Sequence, residues 1–587
     1  ADDAAAYWKK RRREVPRDFD WSIAFWNAEN MELFDELHIE AKLDGIKLNM
    51  ETNTGGKGPL VYTWDAEDPE EVALYRYHTN ALNVYDVTFD VICRLPRATD
   101  RENLTRREMA YKNPSLYDIV HYDADFGLHK DPDSPQWALE GDVTVTYTPL
   151  IRELNVVPLS LINWYTTTSV YTERLNVTAV LDEEGNVLPY LHKYHLLAVE
   201  LPEPVQVGET YKLRVIYAGD IIDVITQPDP EMGVSERADA AQADQALNIV
   251  NYALLNTYPW FPQNSRDIFD RFIWDWRIRL PKPMLVASSG TLISQEEDGS
   301  DYVFTVKENV PSALASMIFG RFTLVQDDYE AGVRPHIRVY AHAGQLDSAQ
   351  EILEQSHDII GYYEELYQVP YPYPELDIAQ MPYGVGFAQA PPGLVQMDGA
   401  AYLSKTLLMT VYNVRDPFIR EAFLPHEIAH QWWAHVTCSL TDHDYWLMEA
   451  GAEYSAALFA EASGKSEKEK QKKYDTYVKY WENRRAAKNT KRTMSLWMAA
   501  TGRDNRRYIS TIYGRGPLLY HELRGSLGYA KIVAVLRAVL HEWNGKNVST
   551  EDFQMVLEKA TGMSFQDYFD RFVYRNEELG TAPEDLQ

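Results

Sequence analysis

The sequence predicts a multidomain α+β protein, in which a large β-rich N-terminal part precedes a mostly helical part. Three observations support this fold class. The chain has 587 residues, which is too many for one compact core. Its first half carries short segments rich in β-branched and aromatic residues, separated by turn sequences such as "DEEGNVLP". Beyond about residue 328 the apolar residues recur instead at the 3.6-residue period of a helix.

The strands of the β-rich part are predicted in two groups. The first group is "GDVTVTYTPL", "RLNVTAVLD", "KYHLLAVEL" and "YKLRVIYAG"; the second is "FIWDWRIRLP", "MLVASSGTLIS", "DYVFTVKE" and "RFTLVQDD". Between them, "ITQPDPEMG" and the Ala/Asp-rich "ERADAAQADQA" predict a connector. We expect three domains: a β-rich extension over residues 1–130, a sandwich or saddle-like β domain over 131–328, and a mostly helical domain over 329–587.

Four helices of the last domain are predicted from periodicity and from start and stop signals. The first is "DSAQEILEQSHDIIGYYEELY". The second is "RDPFIREAFLPHEIAHQWWAHV", in which Pro425 is expected to bend or interrupt the helix, so that the motif helix starts there. The third is "YWLMEAGAEYSAALFAEASG", with Gly464 as its stop. The fourth, "KSEKEKQKKYDTYVKYWENRRAAK", is so charged that we interpret it as a solvated face.

Composition excludes several function classes. The net charge of −31 argues against a nucleic-acid surface, because phosphate binding requires clustered cations. No segment offers the roughly 18 uninterrupted apolar residues of a membrane-spanning helix. The one dense basic run, Lys9 to Arg13, is more simply a solvated terminal arm than a targeting or lipid-binding segment. No nucleic-acid or membrane partner is therefore expected.

The compartment and the oligomeric state stay open. Cys93 and Cys438 are the only cysteines, and a single distant pair cannot form a disulfide framework. The chain begins with Ala1 rather than Met. A leader could have been removed from an exported protein, and otherwise the protein would be cytoplasmic.

The segment "FLPHEIAHQWWAH" carries the strongest chemical signal. On a helix, His426 and His430 lie on one face about 6 Å apart, so that both imidazoles can bind one ion. Glu427 is rotated by roughly 100° from His426 and can reach a water molecule at that ion. One turn of helix thus offers two metal ligands and a general base.

A zinc site of this kind needs a third protein ligand and an open position for water. Glu449, in "WLMEAGAEY" on the following helix, is the candidate. Two histidines and one glutamate suit Zn²⁺ better than Cu(I) or an iron–sulfur cluster. Glu453 or Asp444 could orient a ligand histidine, although either is equally well explained as a surface acid. The nearby His435 and His443 are interpreted as polar loop residues rather than ligands.

These residues resemble a known family. The spacing of His426, Glu427, His430 and Glu449 is similar to that of the zinc peptidases typified by aminopeptidase N and leukotriene hydrolase, the gluzincins. "HQWW", "YQVPYPYPELDIAQMP", "NVPSALASMIFGRFTLV" and "YPWFPQNSRDIFDRF" resemble further segments of that family. The resemblance weakens towards residue 138. It implies a thermolysin-like catalytic domain with one Zn²⁺, which hydrolyses peptides or proteins.

The resemblance also implies a catalytic tyrosine. The family carries a Tyr-x-Lys-Gly stretch, and "STIYGRGPLLYHEL" places Tyr513 at the matching position, with Arg515 in place of the lysine. A phenol can donate a hydrogen bond to the oxyanion that forms when water attacks a carbonyl group. With 39 tyrosines in the chain, context rather than residue type singles out Tyr513.

The sequence departs from the family at the substrate's free amine, which family aminopeptidases bind with a Gly-x-Met-Glu-Asn strand. The matching stretch here is "YGVGFAQAPPGL", in which Gln389 or Ala390 stands in place of the glutamate. Gly384, Gly386, Ala388 and Gln389 are the candidate substrate-binding residues, since such a strand can pair with an extended peptide.

These observations predict a zinc metallopeptidase that does not require a free substrate N-terminus and acts as an endopeptidase or oligopeptidase. The residues that follow Glu449 leave room for the helices of the catalytic domain and little more, which would leave the cleft open to longer peptides. One alternative is a conventional aminopeptidase in which another acid binds the amine. A second alternative is a non-catalytic, peptide-binding scaffold of the same fold.

Overall fold

The structure is a computed structural model of the chain. It describes the backbone of five N-terminal strands between residues 38 and 95, and then residues 116–130, 137–150, 154–167, 170–173, 175–193, 196–221, 251–254, 259–265, 267–327, 335–382, 388–403, 419–485, 495–499 and 510–574. The predicted terminal arm and the predicted connector lie outside these residues.

The predicted fold class is confirmed, because strands dominate up to Ala341 and helices dominate after Leu346. The chain divides into two compact units. One contains Ala1–Asp123, Lys130–Ile222 and Pro259–Ile268, and the other contains Ala124–His129, Asp223–Tyr258 and Phe269–Gln587.

The first unit is built from strands. They are β1 (His38–Glu40), β2 (Ile46–Glu51), β3 (Leu60–Asp65), β4 (Val72–Asn80), β5 (Asn83–Leu95), most of β6 (Tyr117–Lys130), β7 (Trp137–Pro149), β8 (Leu154–Ser160), β9 (Trp164–Thr167), β10 (Val170–Glu173), β11 (Leu175–Leu181), β12 (Tyr190–Lys193), β13 (Leu196–Val205), β14 (Tyr211–Asp220) and, further on, Gln263–Asn264. Strands β1 to β5 form an antiparallel meander. Strand β14 pairs with β7 on one side and with β11 on the other, antiparallel in both cases.

Alternation of buried and less buried residues explains why these segments form strands. In β7, Leu139, Val143 and Val145 are at most 1% exposed, whereas the alternate residues 140, 142 and 144 are less buried. Successive side chains of a strand point to opposite faces, so the period of two observed in "GDVTVTYTPL" gives this sheet one apolar face.

The second unit contains the remaining strands. They are β15 (Asn251–Leu254), β17 (Phe272–Pro281), β18 (Leu285–Ser288), β19 (Thr291–Asp298), β20 (Asp301–Ser312), β21 (Met317–Gly320), β22 (Thr323–Gln326), β23 (His336–Ala341), β24 (Glu375–Gln380), β25 (Ala388–Gln389), β26 (Leu394–Met397), β27 (Thr437–Ser439) and β28 (Lys546–Val548). The strand Gln263–Asn264 of the first unit is β16 in this numbering. One sheet has the order β22-β23-β24-β26-β25, in which β23, β24 and β26 are parallel. Strand β25 forms one edge of this sheet in the described part of the chain and runs antiparallel to β26.

Residues 269–327 belong to the unit that contains the helices, whereas the sequence predicts a boundary at 328. Direct bonds account for this grouping. The Ser312 and Tyr373 hydroxyls lie 2.8 Å apart, and the Leu292 amide donates to the Glu375 carboxylate at 2.9 Å. The division into domains 1–130, 131–328 and 329–587 remains a prediction.

The helices follow in the order predicted. They are α1 (Leu346–Tyr367), α2 (Ile419–Ala429), α3 (Trp446–Ala462), α4 (Glu467–Arg485), α5 (Leu496–Ala499), α6 (Gly516–Leu527), α7 (Tyr529–Glu542), α8 (Thr550–Thr561) and α9 (Gln566–Phe569), with π-helical turns at Thr511–Arg515 and Asp570–Tyr574. Helix α1 connects the parallel strands β23 and β24, as such a crossover requires. Within the described residues, no helix is both long and apolar enough to span a bilayer.

Candidate metal centre and active site

Helix α2 begins before Pro425, so the expectation that the motif helix starts at this proline is wrong. Proline has no amide N–H to donate to the carbonyl group four residues earlier, that of Glu421. The Tyr477 hydroxyl replaces this donor, since it lies 3.3 Å from the Glu421 carbonyl oxygen. Helical bonding then continues, and the His430 amide donates to the His426 carbonyl at 3.2 Å.

Three buried side chains meet at the end of α2. The Nε2 atoms of His426 and His430 lie 3.0 Å apart. Oε2 of Glu449, from helix α3, lies 3.3 Å from the first nitrogen and 3.4 Å from the second. We call these three residues the metal triangle. Among the described residues, no other group of three His, Cys, Asp or Glu side chains brings its ligand atoms within 4.8 Å of one another.

The second nitrogen of each histidine faces an acceptor. Nδ1 of His430 lies 3.1 Å from the Trp433 carbonyl oxygen, and Nδ1 of His426 lies 2.9 Å from Oε2 of Glu453. A carbonyl oxygen or an ionised carboxylate can only accept, so these contacts favour the proton on each Nδ1. Each Nε2 then presents its lone pair to the centre of the triangle.

The spacing of these atoms fits a metal ion. Three lone-pair atoms separated by 3.0–3.4 Å repel one another unless a cation lies among them. In tetrahedral zinc sites the nitrogen and oxygen ligands lie about 2.0–2.1 Å from the ion, which puts neighbouring ligand atoms about 3.3 Å apart. The triangle therefore has the size and the donor set of three zinc ligands.

Electrostatics also favour positive charge at this place. Burial lowers the pKa of His426, but its bonds to Glu449 and Glu453 outweigh burial and hold that pKa well above its ordinary value. Burial opposes ionisation of Glu449 as well, yet His430 and His426 keep its pKa well below the usual range. A pocket that stabilises a proton between ionised carboxylates equally stabilises a metal cation.

Glu427 is buried beside the triangle, with 5% of its surface exposed. Burial raises the pKa of Glu427; His426 and His430 lower it, while Glu449 and Glu453 raise it further, and the net direction is upward. A carboxylate with a raised pKa accepts a proton more readily than an exposed one. This property suits a group that first takes up a proton and then releases it.

Tyr513 approaches the triangle from the π-helical turn Thr511–Arg515, and its ring centroid lies 6.0 Å from that of His426. Gly514 in this turn and Gly516 directly after it allow the turn to pack closely on its neighbours. A Cβ atom at Gly514 would lie 2.9 Å from the Arg485 amide nitrogen, and one at Gly516 would lie 2.7 Å from Cβ of Ala450. Single π turns inside helices often occur at functional sites.

The arginine that replaces the family's lysine has a role of its own. Arg515 is 4% exposed, and its Nη2 and Nε donate to the Phe572 carbonyl oxygen at 2.8 and 3.2 Å. A second arginine, Arg484, places its guanidinium 5.4 Å from the Tyr513 ring centroid. Arg515 therefore fastens the turn to the C-terminal π segment, while Arg484 is the cation nearest to the tyrosine ring among the described contacts.

Asp444 does not contact either histidine of the triangle in the described structure, contrary to one of the two sequence interpretations. Its Oδ1 accepts from the Thr550 amide at 2.7 Å and from the Thr550 hydroxyl at 2.8 Å. Its Oδ2 accepts from Thr441. Asp444 therefore satisfies an amide at the N-terminus of helix α8, where the helix dipole favours an anion. Of these two acids, it is Glu453 that contacts the outer nitrogen of His426.

The interpretation of α4 as a solvated face is incomplete, because its charged residues are exposed or half-buried while its opposite face is buried. Tyr474, Tyr477 and Trp481 are buried, and the Trp481 Nε1 donates to Oε1 of Glu453 at 2.9 Å. These aromatic residues recur at positions i, i+3 and i+7, the spacing of a helix face that packs on a core. This aromatic spacing could have predicted a buried face, but the many charged residues of the segment suggested a fully solvated helix.

One further residue that contacts the triangle, Tyr445, carried no signal in the sequence. The Tyr445 hydroxyl donates to Oε1 of Glu449 at 2.8 Å, which orients the carboxylate for its other oxygen to face the histidines. His443 stacks on Trp497 with ring centroids 3.7 Å apart and bonds to its carbonyl oxygen. His443 is thus a structural loop residue, as interpreted.

The candidate substrate strand is described in part. Gly384 and Gly386 lie outside the described residues. Ala388 and Gln389 form β25, in which Gln389 lies opposite Gln396 and Ala388 opposite Met397. Directly opposed residues of an antiparallel pair share one face of the sheet.

The two faces of this strand differ. The Gln396 side chain donates to the Ser316 hydroxyl at 3.1 Å, so its partner Gln389 lies on that face. Ala388, and Ala390 just beyond the strand, pack instead against the apolar core that contains Leu424 and Ile428 of α2. The residue after the strand on the α2 side is therefore an alanine, and it offers no carboxylate.

Sequence comparison identifies a family for part of the chain. Residues 351–572 match the Peptidase family M1 domain. Aminopeptidase M1-B of Oryza sativa subsp. japonica is 22% identical over 298 residues, which are 49% of this chain and 33% of that protein. Probable aminopeptidase 1 of Sulfurisphaera tokodaii is 24% identical over 213 residues, 35% of this chain and 26% of that protein. The chain thus spans a third or less of the length of these relatives.

Structural comparison agrees over a larger part of the chain. The M1 zinc metallopeptidase of Deinococcus radiodurans superposes with a TM-score of 0.58 and 22% identity, covering 80% of this chain and 96% of that one. A mutant of that protein has been solved with a Tyr-Ser-Ala substrate. This likeness shows a common fold. The segment that matches the Peptidase family M1 domain contains the metal triangle and Tyr513, so the comparisons support the resemblance to aminopeptidase N over the candidate active site.

Proposed function

We propose that the protein is a zinc-dependent peptide-bond hydrolase. The observation that carries this proposal is the metal triangle of His426, His430 and Glu449, with Glu427 buried beside it. Two imidazole nitrogens and one carboxylate oxygen are a ligand set of catalytic zinc sites, which keep a fourth position open. A zinc ion bound there supplies Lewis-acid chemistry, because it polarises a carbonyl group and lowers the pKa of water.

Glu427 acts as the general base and then as the general acid in this proposal. It takes a proton from the water molecule that attacks the peptide carbonyl carbon, and it passes this proton to the leaving amine. The raised pKa of Glu427 supports both steps, since a proton carrier works best when its pKa approaches the working pH.

Tyr513 donates a hydrogen bond to the oxyanion that develops during the attack. Its ring centroid lies 6.0 Å from that of His426, which supports a role beside the metal triangle. A donor that is fixed before the reaction stabilises the transition state without a reorganisation cost. The tight packing at Gly514 and Gly516 supplies this fixation.

Glu453 and Tyr445 hold the ligands in place. Glu453 faces the outer nitrogen of His426 at 2.9 Å, and Trp481 in turn donates to Glu453. Tyr445 donates to the outer oxygen of Glu449. Such partners fix the tautomer of a ligand histidine and raise the metal affinity of the site.

We further propose that cleavage does not require a free substrate N-terminus. Strand β25 can pair through its edge with an extended peptide. Ala388, Gln389 and Ala390 carry no charge, whereas binding an ammonium group in a buried site requires an anion. The substrate would thus be recognised through its backbone, as in an endopeptidase or oligopeptidase.

The aminopeptidase alternative is supported by the relatives. The Oryza and Sulfurisphaera proteins are named aminopeptidases, and two-domain M1 zinc metallopeptidase mutants have been solved with L-arginine and with L-tryptophan. This alternative requires an acid from another segment to bind the amine. A non-catalytic scaffold would not need Glu427, and its presence beside a complete ligand set favours an enzyme.

Metal removal and restoration test the proposed activity. The protein is treated with a chelator, one portion is reloaded with one equivalent of Zn²⁺, and both are incubated with a mixture of unstructured peptides. Mass spectrometry should reveal new internal termini only in the reloaded portion. If the reloaded protein binds zinc and leaves every peptide intact, the hydrolase proposal fails and the scaffold is favoured.

A further inference from the structure

The segment that follows the metal triangle is bonded to the segment that follows strand β25. Gln431, which comes directly after the ligand His430, is fully buried. Its side-chain oxygen accepts from the Gly393 amide at 2.9 Å, and its side-chain nitrogen donates to the Pro391 carbonyl oxygen at 3.1 Å. One carboxamide thus satisfies a donor and an acceptor on the same turn of backbone.

His435 makes the third bond to this segment. Its Nε2 lies 2.7 Å from the Ala390 carbonyl oxygen, and its side chain is almost completely buried, with 1% of the residue exposed. Since a carbonyl oxygen only accepts, Nε2 carries the proton. Burial is the main cause that lowers the pKa of His435 to about 3, despite the bond to Ala390. The imidazole is therefore a neutral donor throughout the neutral pH range.

Both sides of this contact are held rigidly. On one side, Arg271 donates to the His435 carbonyl oxygen at 2.6 Å, which fixes the backbone that carries the imidazole. On the other side, Gly393 has a φ of 65°, a left-handed conformation that favours glycine. The Gly393 carbonyl oxygen also accepts a hydrogen bond from the Asp377 amide at 2.9 Å, which anchors this turn to strand β24.

We propose that Gln431 and His435 are positioning residues, together called the strand clamp, which fix β25 relative to the metal triangle and so determine which peptide bond is cut. This inference rests on the proposed function, because it assigns β25 to the substrate. Neither residue belongs to the metal triangle. Their effect passes through the backbone of residues 390–393, which three hydrogen bonds tie to the segment that begins at His430.

The clamp links two requirements of the reaction. A substrate paired with the edge of β25 takes its register from that strand, whereas the attacking water takes its place from the metal triangle. A displacement of about 1 Å between the two can cost a large part of the rate. Loss of the clamp should therefore weaken peptide binding and spread the cuts over neighbouring bonds, without loss of zinc.

Variants of His435 test this inference. His435→Leu removes the donor at similar volume, and His435→Gln restores an N–H at nearly the same reach. His192→Leu is the matched control, since the His192 Nε2 also bonds to a backbone carbonyl oxygen, at 2.9 Å from Leu161, but in the first unit. Each change is made in the zinc-loaded Glu427→Gln background, where the affinity for one N-acetylated peptide is measured by calorimetry.

We expect His435→Leu to raise the peptide Kd about tenfold, the effect of one buried hydrogen bond. His435→Gln should recover most of the affinity, His192→Leu should leave it unchanged, and all variants should hold one zinc. In the parent with Glu427, the leucine variant should also cut at additional neighbouring bonds. Equal affinities for the leucine and glutamine variants, zinc loss in the leucine variant, or no measurable peptide binding overturn the proposal. If peptide binds with the expected pattern but the parent cuts nothing, the hydrolase fails and the clamp stands.

Discussion

The metal triangle and strand β25 lie in the same unit, yet the triangle is built from ionisable side chains and the strand from uncharged ones. At the triangle, buried ionisable side chains converge, and each has a specific partner, such as Glu453 for His426 and Tyr445 for Glu449. At the strand, Ala388 and Gln389 offer only backbone groups and a neutral amide. The contrast supports the proposal that the described residues of this strand do not bind a charged peptide end, whereas the metal triangle offers three zinc ligands.

The largest effect is expected from Glu427→Gln. Removal of the proton carrier should lower kcat by about 10²–10⁴-fold, while zinc content stays at one ion per chain because Glu427 is outside the metal triangle. Zinc content is measured by atomic absorption alongside peptide turnover. Glu421→Gln, the same change at an exposed position of α2, is the control and should retain activity. Zinc loss in Glu427→Gln would mean that Glu427 serves as a ligand.

Tyr513→Phe should lower kcat by about 10²-fold and change KM little, because the hydroxyl is proposed to act on the oxyanion and not on the bound substrate. Steady-state kinetics on one peptide measures this split. Tyr302→Phe, on strand β20, is the matched control. A rise in KM with unchanged kcat would instead assign Tyr513 to substrate binding.

Glu453→Gln should weaken zinc binding by about 10- to 100-fold, because the outer nitrogen of His426 loses its anionic partner. Competition with a zinc-binding dye gives the affinity. Asp444→Asn provides the contrast, since Asp444 bonds to the start of α8. It should cost about 1 kcal/mol of stability with zinc affinity unchanged. The opposite outcome would restore Asp444 as the residue that orients the histidine.

Ala390→Glu removes the contrast between the two regions, because it adds a charged side chain next to strand β25. A carboxylate on the α2 side of the strand should favour substrates with a free amine over their acetylated forms, by about tenfold or more in kcat/KM. Gln389→Glu adds the same charge on the opposite face of the sheet and should change this ratio much less. Equal effects of the two variants would mean that the assignment of faces does not govern recognition.

A smaller effect, on stability, is expected at another buried carboxylate, Glu308, whose pKa is shifted upward whereas that of Glu449 is shifted downward. Burial raises the pKa of Glu308 to about 7, because only backbone N–H groups of Asn309 and Val310 oppose it. The folded state therefore retains a proton that the unfolded state releases above its ordinary pKa of 4.5. Stability should fall as pH rises between these values.

Glu308→Gln removes this loss and keeps an acceptor for both amides. Denaturant titration should show it about 1–3 kcal/mol more stable than the parent at pH 8, and nearly equal at pH 4. A difference that does not depend on pH would exclude ionisation of Glu308 as the cause.

The sequence predicted those features that depend on local spacing. The 3.6-residue period of apolar residues predicts α1, and the spacing of His426, His430 and Glu449 along the sequence predicts the metal triangle. Residues that act across the fold gave no such signal. Tyr477 compensates Pro425 from another helix, and Asp444 bonds to a residue that is distant in the chain. Partners of this kind are determined by packing, which a single sequence does not display.

The charged helix α4 illustrates an error of a different kind. Its aromatic residues had the right spacing for a buried face, but composition dominated the interpretation. Trp481 then proved to be bonded to Glu453. Likewise, His435 was assigned to a polar loop, whereas it is buried against Ala390. For single side chains, periodicity was more informative than the charge of the surrounding segment.

One measurement tests the central claim most directly: kcat/KM of the zinc-loaded protein for a single peptide in free and N-acetylated forms, with the products mapped by mass spectrometry. The absence of charge at the candidate substrate strand predicts similar values for both forms and internal cuts in both. Stepwise removal of residues from the free form alone would contradict this account. It would show that an acid outside the strand binds the amine and that the protein is a conventional aminopeptidase.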